Sequence, residues 1–331
     1  MTTERPTVQV LATGGTIANP PDVEGYLPGR TLVERVPELE SVADVSAVDV
    51  AAVGSSGVTP RVWYDLHARI TAAASGPSPP DGFVVTHGSN TAEETAYVLT
   101  LTLGTDRPVV VTAAQRNHDT VGNDGDRNLL DAVRVAAHPE ARGHGAMVVV
   151  NDAIHLAREV TKTVSGRPDA WTSGEFGAVG LLDKRGLVRF YRRSLRRGAP
   201  DAVVDLAGRD PADLPDVAVV YAVAGADGSM VDAAVERGAD GLVLAALPTG
   251  TPAEPTGGAT QTEALVRAVD AGVPVVVSHR GLEGWPKRDL IEDDRFVWGD
   301  TLRPQKARIL LALGLLETDE PAALQRLFLE Y

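Results

Sequence analysis

The chain has 331 residues, 44% of them hydrophobic, which is enough for two domains with sizeable cores. It contains no cysteine, so disulfides, thiolate nucleophiles and cysteine-ligated zinc are excluded together. Its 45 acidic residues outnumber 31 basic ones and leave a formal charge of −14, which repels phosphate backbones and anionic membrane surfaces and speaks against nucleic acid or a membrane as partner.

Met1-Thr2-Thr3-Glu4-Arg5-Pro6 leads straight into an apolar run without a basic segment and apolar leader, so a cytoplasmic protein is expected. No apolar run approaches the roughly 18 to 20 residues that a membrane-spanning helix needs. Val-rich runs at 8–12, 45–53, 83–85, 109–111 and 147–150 predict strands. Between them, Val62, Leu66, Ile70 and Ala73 recur at helical spacing after Pro60 and stop near Gly76, and 91–103 and 129–137 also read as helices. That alternation predicts an α/β fold with a mostly parallel, doubly wound sheet. Pro77-Ser78-Pro79-Pro80 reads as a rigid loop ahead of a strand.

Residues 191–215 break the pattern with Arg192-Arg193-Ser194-Leu195-Arg196-Arg197 and the breakers Asp210-Pro211 and Leu214-Pro215. The expected division is a domain over 1–190, a linker over 191–215 and a smaller α/β domain over 216–331. The arginine run reads as the solvated surface of the linker in preference to an anion or partner site. Beyond it, 217–221, 242–246 and 273–278 predict strands, while 263–271, 305–316 and 321–331 predict helices. No repeat of fixed period is present.

Two segments concentrate the chemistry: Thr13-Gly14-Gly15-Thr16-Ile17-Ala18 and Thr86-His87-Gly88-Ser89-Asn90-Thr91. Each follows a predicted strand, and open α/β sheets bind ligands at the carboxyl ends of their strands. Neither nucleotide fingerprint, G-x-G-x-x-G nor G-x-x-x-x-G-K-[ST], lies near Gly14-Gly15, so a dinucleotide site is unsupported. The glycines permit a sharp turn that exposes the Thr16 hydroxyl, a candidate nucleophile that needs a base or proton relay. The chain's lysines are Lys162, Lys184, Lys287 and Lys306, and Lys162 stands out in Thr161-Lys162-Thr163, shortly after a predicted strand. His87 reads as structural rather than as a base, and the seven histidines have no ligand spacing, so no metal and no cofactor are implied.

Together these segments resemble the bacterial-type L-asparaginase family. The likeness extends to Asp81-Gly82-Phe83-Val84-Val85, Glu93-Glu94-Thr95-Ala96-Tyr97, Asn128-Leu129, Asn151-Asp152, Arg158-Glu159-Val160-Thr161-Lys162-Thr163 and Leu302-Arg303-Pro304-Gln305-Lys306-Ala307-Arg308. The resemblance implies an amidohydrolase in which Thr16 attacks a side-chain amide, and water then cleaves the acyl-enzyme. Tyr26 would sit on a loop that closes over the substrate and assist Thr16. Ser55 would hold the substrate α-carboxylate, with Ser56 standing beside it where the family usually has glutamine. Ala114 matches the position whose backbone carbonyl meets the amide nitrogen.

Ser89, Asn90 and Lys162 correspond to a second catalytic group that the family builds from threonine, aspartate and lysine. Ser89 keeps the hydroxyl, whereas Asn90 loses the charge that would hold Lys162 protonated and receive an α-ammonium. That exchange weakens a charge-assisted bond worth about 1.5–3 kcal/mol. It points to an alternative substrate, an asparagine analogue without a charged α-amino group; a non-catalytic binding protein on the same fold is a further alternative. For local structure, Asn90 or Thr91 should cap the next helix, since Thr91-Ala92-Glu93-Glu94 fits a capping box. The resemblance further implies a homotetramer of tight dimers in which a neighbouring subunit completes the site. The stretches Pro248-Thr249-Gly250-Thr251-Pro252 and Asp289-Leu290-Ile291-Glu292-Asp293-Asp294 do not align cleanly with the residues it would supply, for which Glu292 or Glu254 could stand in.

Overall fold

A computed structural model describes the whole chain except residues 1–4, 22–23, 197, 199, 257–258, 289–290 and 292. The first four residues, Arg197 of the arginine run, and Asp289, Leu290 and Glu292 of the second unaligned stretch therefore lie outside the described residues. The rest divides into two units, Met1–Pro211 and Ala212–Tyr331.

The first unit begins with β1 (Thr7–Gly14), α1 (Gly29–Glu34), β2 (Asp44–Val53), α2 (Pro60–Ala74), β3 (Gly82–Thr86), α3 (Ala92–Thr102), β4 (Val109–Thr112), α4 (Gly125–Ala136) and β5 (Ala146–Val150). These five strands are parallel in the order β2-β1-β3-β4-β5. Every residue of β3, β4 and β5 is buried, which is why they read as uninterrupted Val-rich runs rather than as alternating ones. On one face Val8, Val10, Val84, Val110, Met147 and Val149 cluster with Leu32 of α1 and with Leu129, Leu130 and Val133 of α4. The alternate residues point to the other face. There α3 packs on β4 and β5, and α2 packs on α3 and β2.

The sheet continues antiparallel through β6 (Ala153–Leu156), β9 (Gly180–Leu182) and β10 (Val188–Phe190), a part the sequence did not announce. The β5 to β6 hairpin turns on Asn151 and Asp152 with φ of 50° and 62°, the left-handed pair of a two-residue turn that Asn and Asp tolerate. Apart from this sheet, β7 (Thr161–Lys162) and β8 (Trp171–Thr172) pair as a two-stranded ribbon. Of the arginine run, Arg192 forms a bidentate pair with Glu159, and Arg193 donates to the carbonyls of Arg142 and Glu140.

The second unit has a parallel sheet in the order β11 (Val217–Tyr221), β12 (Gly241–Ala246), β13 (Val275–His279) and β14 (Val297–Trp298). α5 (Ser229–Glu236) and α6 (Gln261–Asp270) pack together and contribute Val231, Ala264 and Leu265 to its core. α7 (Pro304–Gly314) lies on β11 to β13, and α8 (Pro321–Glu330) packs on β14 and α7. A capping box forms here, where Thr260 and Glu263 satisfy each other's backbone N–H at the start of α6. Glu254 accepts a bond from Thr262 within this unit. Among the described residues no helix is long and apolar enough to cross a membrane.

Candidate active site

The parallel strand order β2-β1-β3-β4-β5 reverses direction between β1 and β3, and the crevice at that switch point is where such sheets bind ligands. Both sequence-predicted loops emerge there. Gly14 and Gly15 take φ of 102° and 81°, the left-handed region open to glycine, and the chain then turns through a short 3-10 segment, Thr16–Ala18. Gly15 N–H donates to the Val53 carbonyl at 3.1 Å, fastening the Thr16 turn to the end of β2.

The glycines in these loops are explained by backbone crossing. A Cβ on Gly15 would fall 2.4 Å from Gly88 Cα and N, and one on Gly88 would fall 2.7 Å from Ser55 Cβ and N. Three segments, at residues 14–16, 55 and 88, therefore meet main chain to main chain. The crossing is closed by hydrogen bonds: Thr13 Oγ1 donates to the Thr86 carbonyl at 2.9 Å, Thr91 Oγ1 donates to the Ser55 carbonyl at 2.9 Å, and Asn90 N–H donates to Ser55 Oγ at 3.3 Å. Thr91 is thus the residue before α3 without capping it through its side chain, which corrects the capping-box expectation. Its hydroxyl is committed to Ser55, and Asn90 is committed to Lys162.

Lys162 reaches this crossing from β7. Its Nζ lies 2.7 Å from Ser89 Oγ and 2.8 Å from Asn90 Oδ1. Burial lowers the Lys162 pKa below the ordinary lysine value, with no carboxylate offsetting it. The ribbon is tied to α3 next door, where Thr161 Oγ1 donates to buried Glu93 at 3.2 Å. Ser89 is buried, Thr16, Ser55 and Lys162 are half-buried, and Asn90 and Ser56 are exposed. Ser56 makes no side-chain hydrogen bond among the described residues and stays apart from this network.

Tyr26 lies against Gly14 and Gly54. A Cβ on Gly14 would come 3.2 Å from its Cγ, and one on Gly54 would come 3.1 Å from its hydroxyl. Its segment is held by Leu27 N–H to the Ala18 carbonyl at 2.7 Å and by Gly29 N–H to Asp49 Oδ1 at 2.8 Å. Ala114 follows β4 and is buried in the same core as Ile17; a Cβ on Gly125 would touch both.

Sequence reasoning missed the groups that hold these loops. Asp124 accepts from the N–H of Gln115 and of Arg116 at about 3 Å. Asn128 donates to the Ala113 carbonyl at 2.8 Å and accepts from Asn151 N–H at 2.9 Å, joining the loops after β4 and β5. Asn128 and Asn151 belong to matched blocks, so the signal was present, but no motif said that the two bond each other.

The model of the family described as Asparaginase, N-terminal, matches residues 7–196, and that of the Glutaminase/Asparaginase C-terminal domain matches residues 216–328. L-asparaginase 2 of Bacillus subtilis is 36% identical, with 98% of this chain and 87% of that protein covered. L-asparaginase 2 of Escherichia coli is 35% identical over 98% of this chain and 93% of that protein. The crystal structure of a probable cytoplasmic L-asparaginase from Campylobacter jejuni superposes with a TM-score of 0.91 at 34% identity, covering 99% of this chain and all of that one. Two matched domains, relatives of this identity along nearly the whole length, and the same fold agree: the chain belongs to the asparaginase family.

Proposed function

We propose that the protein hydrolyses the side-chain amide of L-asparagine to L-aspartate and ammonia, with Thr16 as nucleophile. The observation that carries this is the glycine crossing that sets the Thr16 turn against the Ser89 loop, with Lys162 Nζ 2.7 Å from Ser89 Oγ. Thr16 Oγ attacks the amide carbon as its proton leaves toward the relay, and the C–N bond then breaks as a proton from the relay passes to the nitrogen, which leaves as ammonia. Water adds to the resulting ester, and Thr16 regains its proton as L-aspartate departs. Neutral Lys162 draws a proton from Ser89 as Ser89 takes one from the attacking group, and burial favours the neutral lysine that this requires.

Ser55 Oγ accepts from Asn90 N–H, so its own hydroxyl hydrogen is free to donate to the substrate α-carboxylate, with Ser56 beside it. The Ala114 carbonyl receives the amide N–H, and Tyr26 assists Thr16 from its loop. The relatives are named L-asparaginase and do not favour the analogue without a charged α-amino group or the non-catalytic binding protein. A homotetramer of tight dimers in the cytoplasm completes the proposal. The tetramer is supported by the family likeness, and the compartment by the Campylobacter jejuni relative, named a probable cytoplasmic L-asparaginase.

Ammonia release from L-asparagine and L-glutamine tests the reading. The native protein should release ammonia from L-asparagine, and Thr16→Ala should lower that rate by at least about a thousandfold. Absence of release by the native protein, or full activity of Thr16→Ala, overturns it. Light scattering of the native protein tests the tetramer.

A further inference from the structure

Behind the site, three side chains that touch no candidate substrate position form a buried hydrogen-bond chain. Trp63 Nε1 of α2 lies 3.0 Å from Thr95 Oγ1 of α3, Thr95 Oγ1 lies 2.9 Å from His87 Nε2, and His87 Nδ1 lies 2.8 Å from the Gly88 carbonyl. His87 and Thr95 are fully buried and Trp63 is 7% exposed. The direction of each bond follows from its donors. Indole N–H only donates, so Thr95 Oγ1 accepts from Trp63 and its own O–H is left to donate to His87 Nε2. That leaves the ring proton on Nδ1, where it donates to the Gly88 carbonyl.

The chain therefore ends on the residue at which the three segments cross. The Gly88 carbonyl and the Ser89 N–H share one peptide plane, so fixing the carbonyl fixes the orientation in which Ser89 begins. The same residue is the one that leaves no room for a Cβ on Gly15, one position before the nucleophile. Both ring nitrogens of His87 are engaged by protein, so neither faces the substrate. Burial pushes its pKa down to about 4, which keeps the ring neutral and the bond pattern intact at neutral pH.

We propose that His87 is a positioning residue for the amide hydrolysis, the last link of the Trp63, Thr95, His87 chain that sets the Gly88 peptide and with it the alignment of Thr16 and Ser89. The proposal rests on the asparaginase reading of Thr16 and Ser89. It assigns α2 and α3 a part in catalysis without contact to substrate. Misalignment of reacting groups by about 1 Å can cost on the order of a hundredfold in rate.

The test combines kinetics with a readout that needs no turnover. Thr95→Val removes the middle link at nearly constant volume, His87→Leu removes both ring bonds, and His87→Asn restores a donor near the Nδ1 position. The expected result is a fall in kcat for L-asparagine of about tenfold or more in Thr95→Val and His87→Leu, with KM changed less than about threefold, partial recovery in His87→Asn, and an unmoved pH–rate profile. Folded Thr95→Val with native kcat overturns the proposal, as does loss of a titrating limb in His87→Asn, which would make His87 a base. Independently, 15N spectra of the native ring should show the Nδ1–H tautomer with no titration between pH 6 and 8; an Nε2–H tautomer or titration in that range overturns the geometry. If the native protein releases no ammonia, the functional reading fails while the ring spectrum still decides the hydrogen-bond chain.

Discussion

Asn90→Asp places a carboxylate where Asn90 Oδ1 now sits, 2.8 Å from Lys162 Nζ. Two unit charges about 3 Å apart attract by roughly 1.4 kcal/mol with the screening of bulk water and by about 5.5 kcal/mol at an effective dielectric constant of about 20. Asn90 is exposed and Lys162 half-buried, so the lower half of that range applies. At about 1.36 kcal/mol per pH unit, the carboxylate should move the deprotonation of Lys162 upward by roughly one to two pH units. If neutral Lys162 is the base, activity in the native protein rises with pH through the lowered Lys162 pKa, and in the variant the same rise occurs at higher pH. The measurement is kcat/KM for ammonia release from L-asparagine across the alkaline range, because that ratio reports the free enzyme and the substrate's own titration is common to both proteins. A rise at the same pH in both proteins would refute Lys162 as the titrating base.

Three further outcomes follow from the same geometry. Gly15→Ala combines a φ of 81° with a Cβ 2.4 Å from Gly88, so it should destabilise the protein by at least about 1–3 kcal/mol in urea unfolding and abolish ammonia release. Asn128→Leu leaves the Ala113 carbonyl and Asn151 N–H without their partner, and unfolding should show a loss of about 1–3 kcal/mol. His87, with a folded pKa of about 4 against an ordinary 6.5, makes the unfolded chain the stronger proton binder between those values. Its contribution is complete above pH 6.5 and is lost as pH falls to 4, so the melting temperature should drop through that window, and the His87→Asn variant should drop less.

The parts of this fold legible in the sequence are those where one physical demand dominates. β3, β4 and β5 are buried on both faces, and nothing but an apolar run meets that demand. Gly14 and Gly15 were legible because backbones that cross closely admit no other residue, a demand that Gly88 also meets. The ribbon that carries Lys162 was not, since strands of two residues are too short to display a period. The helix at Ser229–Glu236 spans eight residues and offered equally little pattern. Thr91 was misread because a hydroxyl before a helix can bond the helix or a neighbour, and the choice depends on Ser55, 36 residues away in sequence. Thr95 and Trp63 looked like ordinary helix residues; their direction toward His87 exists only once α2 and α3 are packed.

Lys162 stands on a ribbon outside the large sheet, whereas Thr16 and Ser89 follow strands inside it. On the proposed mechanism the hydroxyl of Thr16 and the amine of Lys162 therefore stand on separate sheets, of which the two-stranded ribbon should open more readily. Amide hydrogens of Thr163 and its neighbours on the ribbon should exchange well before those of β1 and β3, because few backbone bonds must open to release them. A weakened protein would then lose its amine first, while the threonine turn remained formed. On the proposed mechanism, ammonia release should therefore fail before the large sheet unfolds.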